Sequence, residues 1–183
     1  MIASTKRTFK NDQIQIAKDW LRRSEVADPY FKFTAVFAAF NSVYWLSSDA
    51  DRELAMVNDF KDKLLYQFEQ LRDSETPCIE SADAFIISAE RFEVADLGHR
   101  RDRRPPRRKK FLDNSTFFEG IRFADLSNME KIDVAIDLAY QFRCNLIHGT
   151  KNVSLRENEL TAKAGARFLR EVVAFTIRTL ERY

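Results

Sequence analysis

The chain has 183 residues, a formal charge of +2, and 45% hydrophobic and 32% charged residues, the balance of an ordinary soluble globular protein. That length supports one well-buried core and is short for two. Four glycines and four prolines leave few tight turns, which argues against a hairpin-rich sheet protein and for long helices.

In chain order, the opening MIASTKRTFKNDQ has no apolar core of the kind a signal peptide needs. A first helix is expected from about Asn11 to Val26, capped by Asn11 or Asp12, with Ile14, Ile16, Ala17, Trp20 and Leu21 inward. Asp28 then reads as an N-cap and Pro29 as the first residue of a second helix, where its missing N–H costs nothing. From Phe31 to Leu46 that helix is apolar nearly all round, broken by Lys32, Thr34, Asn41 and Ser42, which predicts a central position. Asn41 needs a partner if buried, either bracing a site or satisfying a loop carbonyl. A third helix over about Arg52–Arg72 places Leu54, Val57, Phe60, Leu64, Phe68 and Leu71 at three- and four-residue spacing.

Between about 74 and 124 the pattern weakens. SADAFIISAERF suits a short helix, whereas the following Arg100–Lys110 run and Pro105-Pro106 read as an exposed, irregular insertion. That run carries eight basic residues and one acid, a local +7, so the rest of the chain sums to about −5 by difference from +2. Arg100, Arg101, Arg103, Arg104, Arg107, Arg108, Lys109 and Lys110 are candidates for phosphate binding. A solvated loop or a contact for an acidic partner is the competing reading, and His99 beside them reads as a loop residue.

Order returns at Ser127, whose spacing from Glu130 is that of a capping box. Met129, Ile132, Ala135, Ala139, Phe142 and Leu146 form an apolar stripe, and Gly149 is a natural stop. A last helix runs from about Glu157 to Arg182 with Leu169, Val172, Val173, Thr176 and Leu180 inward. With no repeat and no linker, the expectation is one all-α domain over 1–183, a bundle of about five to six helices with a basic insertion at about 74–124. Aromatic residues at helical spacing are expected in the core. Cys78 and Cys144 match no metal spacing and read as reduced thiols. No window reaches the ~18 apolar residues of a membrane span. The expectation is a cytoplasmic protein without a membrane partner.

The polar end of the fifth segment, AYQFRCNLIHGTKN, carries the chemistry. On an ideal wheel Asn145 lies about 200° and His148 about 140° from Arg143, and His148 stands about 7.5 Å along the axis from it. Helical geometry alone therefore does not gather the three. A histidine near a helix C-terminus is often a cap, favoured by the helix dipole, and on residue types alone that reading is the stronger.

FRCNLIHGTKN nevertheless resembles the signature of the HEPN superfamily (higher eukaryote and prokaryote nucleotide-binding), an arginine, four to six residues, then histidine. The asparagine before an apolar pair and the glycine after the histidine are similar to the Apea-like branch, and FAAFNSVYWL resembles that branch's aromatic segment. The resemblance covers roughly Phe31–Leu46 and Asp133–Leu180. It implies a helical domain that dimerises so that two arginine–histidine pairs face one cleft, and, in active members, RNA cleavage without metal. Carried over, Arg143 matches the motif arginine, His148 the histidine and Asn145 the polar position. Cys144 departs from the pattern, since many members have a polar residue there. Thr150 stands where toxins of the nucleotidyltransferase-paired branch have a tyrosine, so regulation by adenylylation of that tyrosine is not implied.

The chemistry suits the residues. Histidine transfers protons near neutral pH, and an arginine fork stabilises charge on a phosphorane-like transition state. The chain has no phosphate-binding glycine loop, no zinc spacing and no paired-carboxylate motif, so neither cofactor nor metal is expected. The expectation is a metal-independent endoribonuclease in phage defence or a toxin system, with RNA, a second copy and a partner protein or antitoxin as partners. The alternative is a non-catalytic module of the same fold that binds RNA or a protein.

Overall fold

A computed structural model describes residues 2–46, 48–71, 77–90, 126–147 and 156–182. Among these residues there are six α-helices and no strand: α1 (Ile2–Arg23), α2 (Pro29–Tyr44), α3 (Glu53–Glu69), α4 (Ile79–Glu90), α5 (Asn128–Ile147) and α6 (Arg156–Arg182). The all-α bundle read from the sequence is the observed architecture. Of the insertion at about 74–124, residues 77–90 are described and carry α4, and the basic run Arg100–Lys110 lies outside the described residues.

Local chemistry sets several boundaries. The Asp28 carboxylate accepts from the Phe31 N–H at 2.6 Å and Pro29 opens α2, so both halves of the expected start are in place. At α5 the capping box closes in both directions: the Ser127 N–H donates to Glu130 at 2.8 Å and the Glu130 N–H donates to the Ser127 hydroxyl at 3.3 Å. The serine bonds hold the exposed Glu130 carboxyl below its ordinary range. The start of α1 differs from expectation. Its helix begins at Ile2, because nothing in STKRTFK breaks a helix, and Asn11 and Asp12 are exposed interior positions instead of caps.

One hydrophobic cluster draws on all six helices. α2 is its axis, packed most extensively against α1 and α6, while α4 lies on α5 and α6 and α3 lies on α5. Phe33 meets Phe142 edge-on at 4.8 Å, Phe40 meets Phe60 edge-on at 5.2 Å, and Phe85 stacks on Phe168 at 6.0 Å. Gly165 of α6 sits against these rings, where a Cβ would stand 2.8 Å from Phe85 and 2.9 Å from Phe33.

Three expectations about the core are corrected. Ile16 is exposed, since it lies about 200° from the buried Ile14 on α1. Leu54 is exposed in the first turn of α3. The rule that aromatics are core fails for Phe9, Phe31 and Trp45, all about half exposed.

A buried cation ties α3 to α5. Lys61 is 7% exposed and its ammonium lies 2.9 Å from Asp133 and 2.8 Å from Asp137, one turn apart on α5. Burial alone lowers a lysine pKa, but the two carboxylates outweigh it, and Lys61 sits above its ordinary value.

Candidate functional site

Arg143 lies in the last turns of α5 and reaches two other helices. Its Nη1 donates to the Glu53 carboxylate at 3.4 Å, a long contact that orients more than it binds. Its guanidinium carbon stands 5.6 Å from the centroid of the Phe37 ring on α2, a cation–π geometry. Glu53 is the first residue of α3, where a carboxylate complements the helix N-terminus. Its other oxygen accepts from the Tyr44 hydroxyl at 2.8 Å, from the last residue of α2.

The ends of three helices thus meet around one ion pair, which is neither sealed nor free. The Arg143 side chain is 28% exposed and that of Glu53 34% exposed, while Tyr44 is fully buried. Burial, then the bond to Glu53, pushes the Tyr44 phenol far above its ordinary value, so it serves Glu53 as a donor. Tyr140, one turn before Cys144, is pushed up to about 12, first by burial and then by Cys144 and Glu53, against an opposing pull from Arg143. Two protonated phenols therefore line the Arg143–Glu53 pair at neutral pH. A guanidinium has five N–H donors. Among the described residues Glu53 takes one of Arg143's.

Asn145 is placed differently. It is fully buried, and its Oδ1 accepts from Gln141 Nε2 at 2.8 Å along the same helix. Arg143 reaches α2 and α3, whereas this bond of Asn145 runs along α5 itself. His148, Gly149 and the basic residues Arg100, Arg101, Arg103, Arg104, Arg107, Arg108, Lys109 and Lys110 lie outside the described residues.

Glu53, Tyr44 and Phe37 are the site's additions. Tyr44 and Phe37 stand in FAAFNSVYWL, the segment that carried the resemblance on α2. Glu53 left no signal: a first-turn acid ninety positions before Arg143 is ordinary helix chemistry until the fold brings the two together. Asn41 lies one turn beyond Phe37, with its Oδ1 shielded from solvent and without a hydrogen-bond partner among the described residues.

Cys78 and Cys144 are both free thiols, Cys78 buried and Cys144 half-buried. Among the described residues no helix is long and apolar enough to cross a membrane. No protein-family model matches the chain, and neither a curated protein nor a solved structure does.

Proposed function

We propose that the protein is a metal-independent endoribonuclease of the HEPN type, acting in phage defence or a toxin system. The single observation that carries the reading is the state of Arg143. A guanidinium in the motif position is partly exposed, held from one side by Glu53 and from its face by Phe37, with donors left for a phosphate. An arginine placed only to cap its own helix has no need of partners on two others. In this reading His148 moves the proton to or from the ribose oxygens and Arg143 binds the charge that gathers on phosphorus. Glu53 keeps the fork aimed, and the basic run Arg100–Lys110 supplies sequence-blind attraction for RNA.

The same reading makes the protein a homodimer, with the Arg143–His148 helix ends near the two-fold axis. The sequence spacing supports this, since an ideal wheel would set Arg143 and His148 about 140° apart and a second copy would complete the pair. The test is incubation of purified protein with mixed RNA in EDTA, with analysis of the new ends. Cleavage leaving 2′,3′-cyclic phosphates is expected; intact RNA at every protein concentration contradicts the proposal.

One observation favours the alternative, a non-catalytic module that binds RNA or a partner protein such as an antitoxin. Leu54 and Ile147 are both more than half exposed, one beside Glu53 and the other one turn beyond Arg143. Exposed apolar side chains around a polar pair are the makings of a protein interface.

A further inference from the structure

α2 is the axis of the core, yet one side of it stays open. From Phe31 to Trp45 only Phe31, Lys32, Thr34, Ala38, Asn41 and Trp45 are not buried. Leaving out Lys32, they follow one another at steps of three, four, three and four, the spacing of a helix–helix seam. Trp45 belongs to the run because it continues α2 in helical geometry, its N–H donating to the Asn41 carbonyl at 3.1 Å. The stripe carries no charge. It has small side chains at its middle and an aromatic at each end, Phe31 51% and Trp45 50% exposed. A buried aromatic hides ~150–250 Å², so two copies bring on the order of 300–500 Å² of uncovered ring surface, about a quarter of a standard interface.

The stripe is also its own complement. In an antiparallel pairing centred on Ala38, Trp45 comes level with the partner's Phe31, and Asn41 comes within ~1.5 Å of the level of the partner's Thr34. The Thr34 hydroxyl donates to the Tyr30 carbonyl at 2.8 Å, which leaves its lone pairs to accept from an asparagine N–H. One polar pairing in an apolar seam fixes register.

The position of the candidate site selects the occupant. On an ideal wheel Phe37 and Tyr44 stand about 80° and 100° from the middle of the stripe, both on the same flank. Arg143 lies over Phe37 and Glu53 is bonded to Tyr44, so the ion pair runs along that flank. The two-fold axis of an antiparallel pair passes between the helices, parallel to their facing surfaces, and keeps matching flanks on the same side. Both Arg143 side chains then emerge on one side of the pair, close to the axis, because Phe37 adjoins Ala38. The Phe37 rings under them stand roughly one helix spacing apart, about 8–10 Å. A parallel pair would send them to opposite sides.

We propose that the α2 stripe from Phe31 to Trp45 is the surface on which a second copy of this chain docks, antiparallel, so that two Arg143–Glu53 pairs share one side of the dimer. The choice of a second copy rests on the homodimeric reading above and adds to it the surface and the direction of pairing.

Light scattering at micromolar concentration is expected to give wild-type protein twice the mass of one chain. Ala38→Glu sets two carboxylates face to face and is expected to raise the dimer dissociation constant about 10²-fold or more, as is Ala38→Lys. Mixing these two variants is expected to restore the dimer, since position 38 meets its own copy. Thr34→Glu, at a position already exposed, is the second variant, and circular dichroism checks each fold. On a Cys144→Ser background, a short bis-maleimide is expected to join Trp45→Cys copies to Phe31→Cys copies and not to one another. Joining of like copies overturns the antiparallel pair. A wild-type dimer left intact by folded Ala38→Glu and folded Thr34→Glu overturns the stripe and leaves the homodimer standing. Wild-type protein that stays monomeric overturns both. A folded Ala38→Glu monomer that cuts RNA at the wild-type rate upholds the stripe and removes the shared cleft from the ribonuclease reading.

Discussion

Arg143 and Glu53 lie ninety positions apart in the chain and 3.4 Å apart in the fold, and Tyr44 holds the carboxylate from behind. Because the pair is partly exposed, it contributes on the order of 1 kcal/mol or less to stability. What it supplies is direction: a long, rotatable arginine is kept over Phe37.

Under the proposed ribonuclease function, Glu53→Gln should therefore leave the fold nearly intact and lower kcat for RNA cleavage, by as much as about 10²-fold if the fork swings by an ångström. Tyr44→Phe should act the same way but more weakly, since Glu53 keeps its partner in Arg143. Steady-state kinetics beside melting curves check this. A kcat that falls only in step with the folded fraction assigns Glu53 to stability alone.

Lys61 gives a prediction of the opposite kind. Lys61→Met leaves Asp133 and Asp137 facing one another on α5 without their cation, and should cost about 3 kcal/mol. Asp133→Asn should cost less, because the ammonium keeps Asp137. Urea unfolding at neutral pH measures both, and equal, small losses contradict the buried clamp.

How legible these features were in the sequence depended on range. The Asp28–Pro29 start, the Ser127–Glu130 box and the α5 stripe are written in residues three or four apart, and all were readable. Phe142 and Ile132 needed only the helical period. Lys61, by contrast, looked like one more surface lysine on an amphipathic helix, because its carboxylates are more than seventy positions away. The start of α1 was misread because a cap residue such as Asn11 signals a boundary only where the preceding chain cannot stay helical. Arg143 was found through its motif, whereas Glu53 and the exposed Trp45 became visible only once helix ends were placed beside one another.

Gly165 was a silent position in the sequence. Gly165→Ala gains up to about 1 kcal/mol of helix propensity and loses about 1–3 kcal/mol by forcing a methyl against two buried rings. The loss should prevail, since Phe33 and Phe85 are both fully enclosed and have little room to turn. Thermal melting should show a lower Tm; a higher one means the rings yield.

Tyr140 supplies a pH signature. An ordinary tyrosine ionises near 10 and Tyr140 near 12. As pH rises past 10 the unfolded chain releases this proton first, so the contribution of Tyr140 is complete below pH 10 and is lost by the time pH passes about 12. Tyr140→Phe should flatten the fall of Tm across that window relative to the wild type. Identical pH profiles for the two proteins contradict the raised value.

The most direct test of the proposed catalytic site is cleavage by folded His148→Ala protein. The expected result is a loss of roughly 10²–10⁴-fold in EDTA, with an equal loss in Arg143→Ala and little rescue in Arg143→Lys, whose ammonium cannot form the fork. If the histidine only caps its helix, the same change lowers Tm and activity follows the folded fraction. RNA cut by folded His148→Ala protein at the wild-type rate contradicts the account.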